Sequence, residues 1–252
     1  MPGPSNVDMT LESHDPMIEA LLIILAAGIL PGLYFGVGIV ARLQADRRAA
    51  SLMGTGRLAL TYDDGPSPEQ TDRILKLLED RKAHATFFVI GHSATTYPEV
   101  IGRIVAAGHE VGWHSLAHLN QWRASPSAAW RDTSSIPAIL ENLDPITSIY
   151  RPPYGKLNLL SVLAARRRRL RISTWTRPSG DTDPTIPDVQ EIVDQVDADG
   201  GGVVLMHDNK RTNPDGDARD HFVAQLTAAL LDLAQRRGWT LVPVPESSRT
   251  AT

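Results

Sequence analysis

Two aspartates stand side by side in TYDDGP, residues 61–66, and two histidines stand four apart in HSLAH, residues 114–118. Adjacent carboxylates repel, so Asp63 and Asp64 need a partner of opposite charge. The 252-residue chain has no cysteine, so a metal here must be held by His, Asp or Glu. On a helical turn, side chains at i and i+4 face one way, so His114 and His118 are expected to grip a cation together. Two histidines leave a divalent ion short of ligands, and Asp63 or Asp64 can supply the third. A three-ligand site keeps a position open for water, the mark of a catalytic rather than a structural metal. Metal binding brings the pKa of that water toward about 7, and the carboxylate left over can act as general base. The competing explanation is that Asp, Gly and Pro simply favour a turn.

His207 ends the apolar run VVLMH and suits a general acid for a leaving amine or alkoxide. Arg151 in YRPPYG precedes two prolines, which fix the backbone and aim a guanidinium able to clasp a carboxylate. Arg166–Arg169 close a predicted helix, where cations suit the dipole, and read as a solvated or lipid-facing end. With a formal net charge of −4, the chain lacks the basic stripe of a nucleic-acid binder.

The elements that must position these residues alternate. RLALTY, ATFFVI, HEVGW, TSIYR, LRISTW, GGVVLM and WTLVPV are predicted strands, seven in all, with helices between them. In the helix SPEQTDRILKLLEDR, Ser67 and Gln70 are expected to form a capping box over an apolar stripe. A further helix is expected around residues 127–141. Alternating β and α units predict a parallel sheet with outer helices, open or closed into a barrel. Asp63, Asp64, His114, His118, Arg151, Asp181 and His207 then all fall at or just after strand ends. In a parallel fold those ends share one face, where sites are built.

Ahead of this domain lies a different kind of sequence. Residues 1–19 carry acids and no Lys or Arg, and 20–41, ALLIILAAGILPGLYFGVGIVA, carry no charge. That run is long enough to cross about 30 Å of hydrocarbon as a helix, kinked at Pro31. Arg42, Arg47, Arg48 and Arg57 follow it, so the positive-inside rule puts the C-terminal domain in the cytoplasm of a single-pass membrane protein. Residues 42–56 are expected as linker, 57–245 as the catalytic domain, and 246–252 as a frayed tail.

Gathered in order, these motifs resemble the polysaccharide deacetylases, the NodB-homology group of carbohydrate esterase family 4, from about Arg57 to Pro245. The resemblance implies a deformed (β/α) barrel and metal-dependent hydrolysis of N-acetyl groups on a sugar. TYDDGP implies Asp63 as base and Asp64 as metal ligand, and HSLAH implies His114 and His118 as the other ligands. RPPYG implies that Arg151 orients the base and that the Tyr154 backbone N–H helps bind the oxyanion. The Trp175 to Asp181 segment implies a pocket wall and an Asp that tunes the acid. LMH implies Leu205 at the acyl pocket and His207 as acid. Trp113 stands where the family often has Asn, and the usual Asp-Trp of the fourth motif is Asp181-Thr182. Its upstream acidic position is Pro178, and Asp183 is a rival for the role of Asp181. Zinc suits such ligands, as do cobalt, nickel and iron. The expected partner is an N-acetylated oligo- or polysaccharide: chitooligosaccharide, peptidoglycan or a lipid-linked glycan. A deacylase of a non-sugar amide or ester, or an inactive tethered glycan binder, would carry the same framework.

Overall fold

Strand β1 (Arg57–Asp63) is buried from its second residue on, because both faces of a parallel sheet are covered. Its alternation separates two layers. Leu58, Leu60 and Tyr62 point outward into the main core, while Ala59 joins an inner cluster with Phe88, Ile149 and Val203. By the same period, Thr61 and Asp63 face inward above Ala59. The computed structural model describes residues 16–143, 148–209 and 215–244. Residues 1–15 of the expected acidic segment and the tail 246–252 lie outside the described residues.

Among the described residues, β1 is joined by β2 (Thr86–Val89), β3 (Glu110–Trp113), β4 (Ile149–Tyr150), β5 (Arg171–Ile172), β6 (Arg177–Pro178), β7 (Gly201–His207) and β8 (Thr240–Leu241). All pairings are parallel, in the order β5-β4-β3-β2-β1-β7-β6, with β8 beside the first residues of β1. The result is an α/β half-barrel, open between β5 and β6. The seven expected strands are present, and the short β6 is additional: two residues ending in a proline carry no strand signature.

The helices are α1 (Pro16–Ala50), α2 (Pro68–Asp80), α3 (Gly91–Thr96), α4 (Pro98–Ala106), α5 (Pro126–Ser134), α6 (Ala138–Glu141), α7 (Leu159–Arg167), α8 (Val189–Ala198) and α9 (Gly216–Arg237). The helix expected around 127–141 is two, α5 and α6, split at Pro137, which cannot continue a helix it would have to donate into. The capping box at α2 does not form. Ser67 instead donates from Oγ to the Asp208 carbonyl, 2.8 Å away, and Gln70 donates to the Asp220 carbonyl. Both polar groups tie α2 to other elements rather than to its own first turn.

The expected linker needs a larger correction, because residues 42–50 are the last turns of α1. Ala41, Ala45, Ala49 and Leu52 are buried, and α1 packs on β5, β7 and α7 at the open side of the half-barrel. Ala49 and Leu52 enter the inner cluster with Ala59 and Val203. Gly38 lies so close to α7's approach that a Cβ would collide with the Leu157 carbonyl. Ala27–Ala50 is long and apolar enough to cross a membrane.

Candidate active site

The register of β1 and β7 sets Asp63 directly beside His207 at the C-terminal ends of two adjacent strands. Asp63 ends β1 facing inward. Asp64 then takes a left-handed φ of 73°, which a short polar side chain tolerates, so successive carboxylates leave the strand in different directions. This is how two adjacent aspartates coexist. Asp63 Oδ1 accepts from Arg151 Nη1 at 2.8 Å, whereas Asp64 Oδ1 lies 3.2 Å from His114 Nε2 and 3.1 Å from His118 Nε2.

The two histidines meet, but not on a helical turn as their spacing predicts. Residues 114–118 form an irregular loop with left-handed φ at Ser115 (70°) and His118 (55°), and the rings sit 5.0 Å apart. Asp132, buried in the last turn of α5, holds this loop. Its carboxylate accepts from the backbone N–H groups of Ala117 and Leu119 and from Gln121 Nε2. Sequence reasoning missed Asp132. The available signal was an acid at a helix C-terminus, against the dipole.

Asp64, His114 and His118 form a donor cluster whose ligand atoms lie within 4.8 Å of one another. Its chemistry fits a divalent cation. His114 Nδ1 faces the Arg151 carbonyl at 2.7 Å, and since a carbonyl only accepts, Nδ1 carries the proton and Nε2 is left as a lone pair toward Asp64. Asp64 Oδ1 is buried with no hydrogen-bond donor of its own. Burial raises the Asp64 pKa, but the histidines outweigh it and hold the carboxyl well below its usual range. Burial pulls His114 down, and Asp63 and Asp64 outweigh it in the upward direction. Both shifts describe a cluster short of positive charge.

Arg151 is fully buried at the first inward position after β4. It donates to Asp63, to Thr61 Oγ1 at 2.7 Å and to the Thr174 carbonyl at 3.1 Å, and lies 4.0 Å over the Phe88 ring. Gly112 makes room for that ring: a Cβ there would meet Phe88 Cδ1 at 2.5 Å. On the other flank, His207 Nδ1 lies 2.9 Å from Asp181 Oδ1, and Asp181 Oδ2 accepts from the His207 N–H. Arg219 from α9 secures the Asp181 carbonyl at 2.8 Å. The structure thus sets Asp181, rather than Asp183, beside His207. Burial lowers the His207 pKa, but Asp181 outweighs it and raises the imidazole to about 9. Leu205 faces inward on β7, two residues before His207, and Trp175 lies 5.7 Å from the Arg151 guanidinium. Tyr154, at φ 56°, places its exposed ring 4.7 Å from that of His118. Asp208 was also missed: it is wholly buried, and burial pushes its carboxyl up to about 7.

A family model for polysaccharide deacetylase matches residues 53–172. A peptidoglycan-N-acetylglucosamine deacetylase of Bacillus cereus is 31% identical over 194 residues, covering 76% of this chain and 88% of that protein. The chain belongs to the polysaccharide deacetylase family. This deacetylase is therefore a hydrolase of carbon–nitrogen bonds other than peptide bonds. A chitooligosaccharide deacetylase of Bradyrhizobium sp. is 32% identical over 209 residues, covering 79% of this chain and 94% of that one. The structure of the peptidoglycan deacetylase PdaC from Bacillus subtilis superposes with a TM-score of 0.59 at 29% identity, over 77% of this deacetylase and 89% of that chain. The Bc1960 peptidoglycan N-acetylglucosamine deacetylase gives 0.61 at 25% identity, over 75% and 86%.

Proposed function

We propose that this deacetylase hydrolyses the N-acetyl group of an N-acetylglucosamine-type sugar at a divalent metal held by Asp64, His114 and His118. The observation that carries this is the donor cluster, flanked by one pair suited to take a proton and one suited to give it. Relatives named for peptidoglycan and chitooligosaccharide substrates support the sugar class. Two histidines and a carboxylate suit zinc, and also cobalt, nickel or iron. When bound, such a cation supplies Lewis acidity, polarising the acyl carbonyl and acidifying water.

Asp63 is the general base. Arg151 fixes its Oδ1, while Oδ2 faces the cluster, 3.8 Å from His114 Nε2. The backbone N–H of Tyr154 donates to the developing oxyanion. His207 is an imidazolium near neutral pH and gives its Nε2 proton to the leaving amine, with Asp181 holding Nδ1. Leu205 and Trp175 wall the acyl side. Acetate and a free amino sugar leave. The catalytic domain is residues 57–245, and α1 anchors it in a membrane as a single-pass helix.

Acetate release from N-acetylglucosamine oligomers, measured beside metal content, tests this. Asp63→Asn is expected to cut turnover by about 10²–10⁴-fold while retaining metal. His114→Ala is expected to lose both. Full activity in Asp63→Asn would refute the base assignment.

A further inference from the structure

Helix α1 runs antiparallel to the strands. Its last buried residue, Ala49, and Leu52 just beyond its end sit with the floor of the half-barrel near the start of β1, where Gly54 donates to the Asp199 carbonyl. Seven residues earlier, Arg42 lies at the catalytic end: its Nη1 donates to the Gly155 carbonyl at 2.9 Å and its guanidinium covers Trp175 at 4.6 Å. A further two turns back, Phe35 meets Trp122 edge to face at 6.2 Å. From Phe35 to Ala49 the helix rises about 21 Å, the length of β1. The N-terminal half of α1, with Ile29, Leu30 and Leu33 exposed, therefore projects past the catalytic face rather than the opposite one.

Charge and length locate the water boundary. The uncharged run 20–41 lies between Glu19 and Arg42, and about 20 residues are needed to cross the hydrocarbon. Phe35 and Gly38 lie inside that run, yet both are docked on the catalytic domain. The loops they touch must then reach the membrane interface. Those loops carry the residue types of an interfacial belt. Trp122 and Tyr154 are about half exposed, and Lys156 Nζ lies 5.3 Å from the Trp122 ring and 6.0 Å from that of Tyr154. Tyr154 in turn meets the ring of His118 of the donor cluster at a tilt, with centroids 4.7 Å apart. Tyr154, Lys156 and Trp122 thus link His118 of the donor cluster to Phe35 of the bilayer-entering helix.

We infer that the catalytic face opens onto the membrane surface from which α1 emerges, and that the substrate is an N-acetylated sugar carried on a membrane lipid. This rests on the deacetylase and anchor readings above. A mouth at headgroup level meets a glycan attached to a lipid at a high effective concentration, and Lys156 suits the phosphate of a headgroup or carrier.

The test uses the full-length protein in phosphatidylethanolamine–phosphatidylglycerol vesicles. N-acetylchitotetraose is supplied either in solution or linked through its reducing end to a lipid, at equal total concentration. Separately, lipids brominated near the headgroup probe tryptophan depth. The tethered sugar is expected to be deacetylated at least about tenfold faster. Brominated lipid is expected to quench part of the emission of the five tryptophans, and Trp122→Phe, checked for folding by its melt, to remove most of that quenching. Equal rates on both sugars, or no quenching of Trp122, would overturn the inference. Quenching with no release from either sugar would instead sink the deacetylase reading and, with it, the lipid-borne substrate.

Discussion

Asp132 touches neither the proposed metal nor the substrate, yet three donors of the histidine loop converge on its carboxylate. Removing its carboxylate leaves the left-handed turns of this loop to the bond from the His118 N–H to Ser115 Oγ and to backbone bonds at Ser115 and Leu116. Asp132→Ala is expected to weaken zinc binding by about 10–100-fold, with activity recovering at saturating zinc, as chelator competition would reveal. The acid pair has its own signature. His207 is raised to about 9, so it is protonated at neutral pH and the rate should fall as pH rises toward that value. A bound cation repels the proton and draws this limb lower. Asp181→Asn removes the main raising influence and leaves burial unopposed, so the alkaline limb of kcat should move to lower pH. The stability linkage has the same sign: the pair's contribution is full below the unfolded histidine value of about 6.5 and fades as pH rises toward 9. A pH series of kcat and melting temperature on both proteins measures this. At this scale the sequence was most legible. Residue types and order single out Asp63, Asp64, His114, His118, Arg151 and His207 as candidates, and the structure brings them together at one face. Asp132, Thr61 and Asp208 were not legible, since a supporting residue is defined by what it touches.

Helix α1 behaves as two elements in one. In its first half Met17, Ile18, Ile29, Leu30 and Leu33 are exposed, while its second half buries one face, Ala41, Ala45 and Ala49, in the open side of the half-barrel. Cutting the chain at residue 50 would uncover that side and remove Arg42 from the Gly155 carbonyl and the Trp175 ring. Residues 34–252 are expected to melt several degrees above residues 50–252 and to retain more activity; equal melts would contradict a structural role for the docked half. From the sequence, 42–56 has the look of a linker, because small and charged residues alternate there. Small residues allow close approach, but only a partner surface turns that into packing.

At the scale of the molecule, the half-barrel, its outer helices and the catalytic face are those of the family. In this chain a helix, α1, packs along the open side of the half-barrel. The arginines after the apolar run favour the cytoplasmic side for the catalytic domain. A protease added to intact cells should then leave the domain uncut, and cut it once the membrane is opened. Digestion in intact cells would reverse the topology but not the facing of the site, since that is set by contacts within the chain.

The sequence by itself determined the parallel α/β class and which reactive side chains come together at one end of the sheet. Strand periodicity is local, and reactive groups at strand ends must share one face. Only the tertiary structure decided how the two histidines meet, through left-handed turns rather than a helix, and that Asp132 holds them there. It alone decided that the apolar helix belongs to the barrel, and on which face it leaves. These are matters of contact between segments far apart in the chain, and no local pattern encodes the geometry of such a contact.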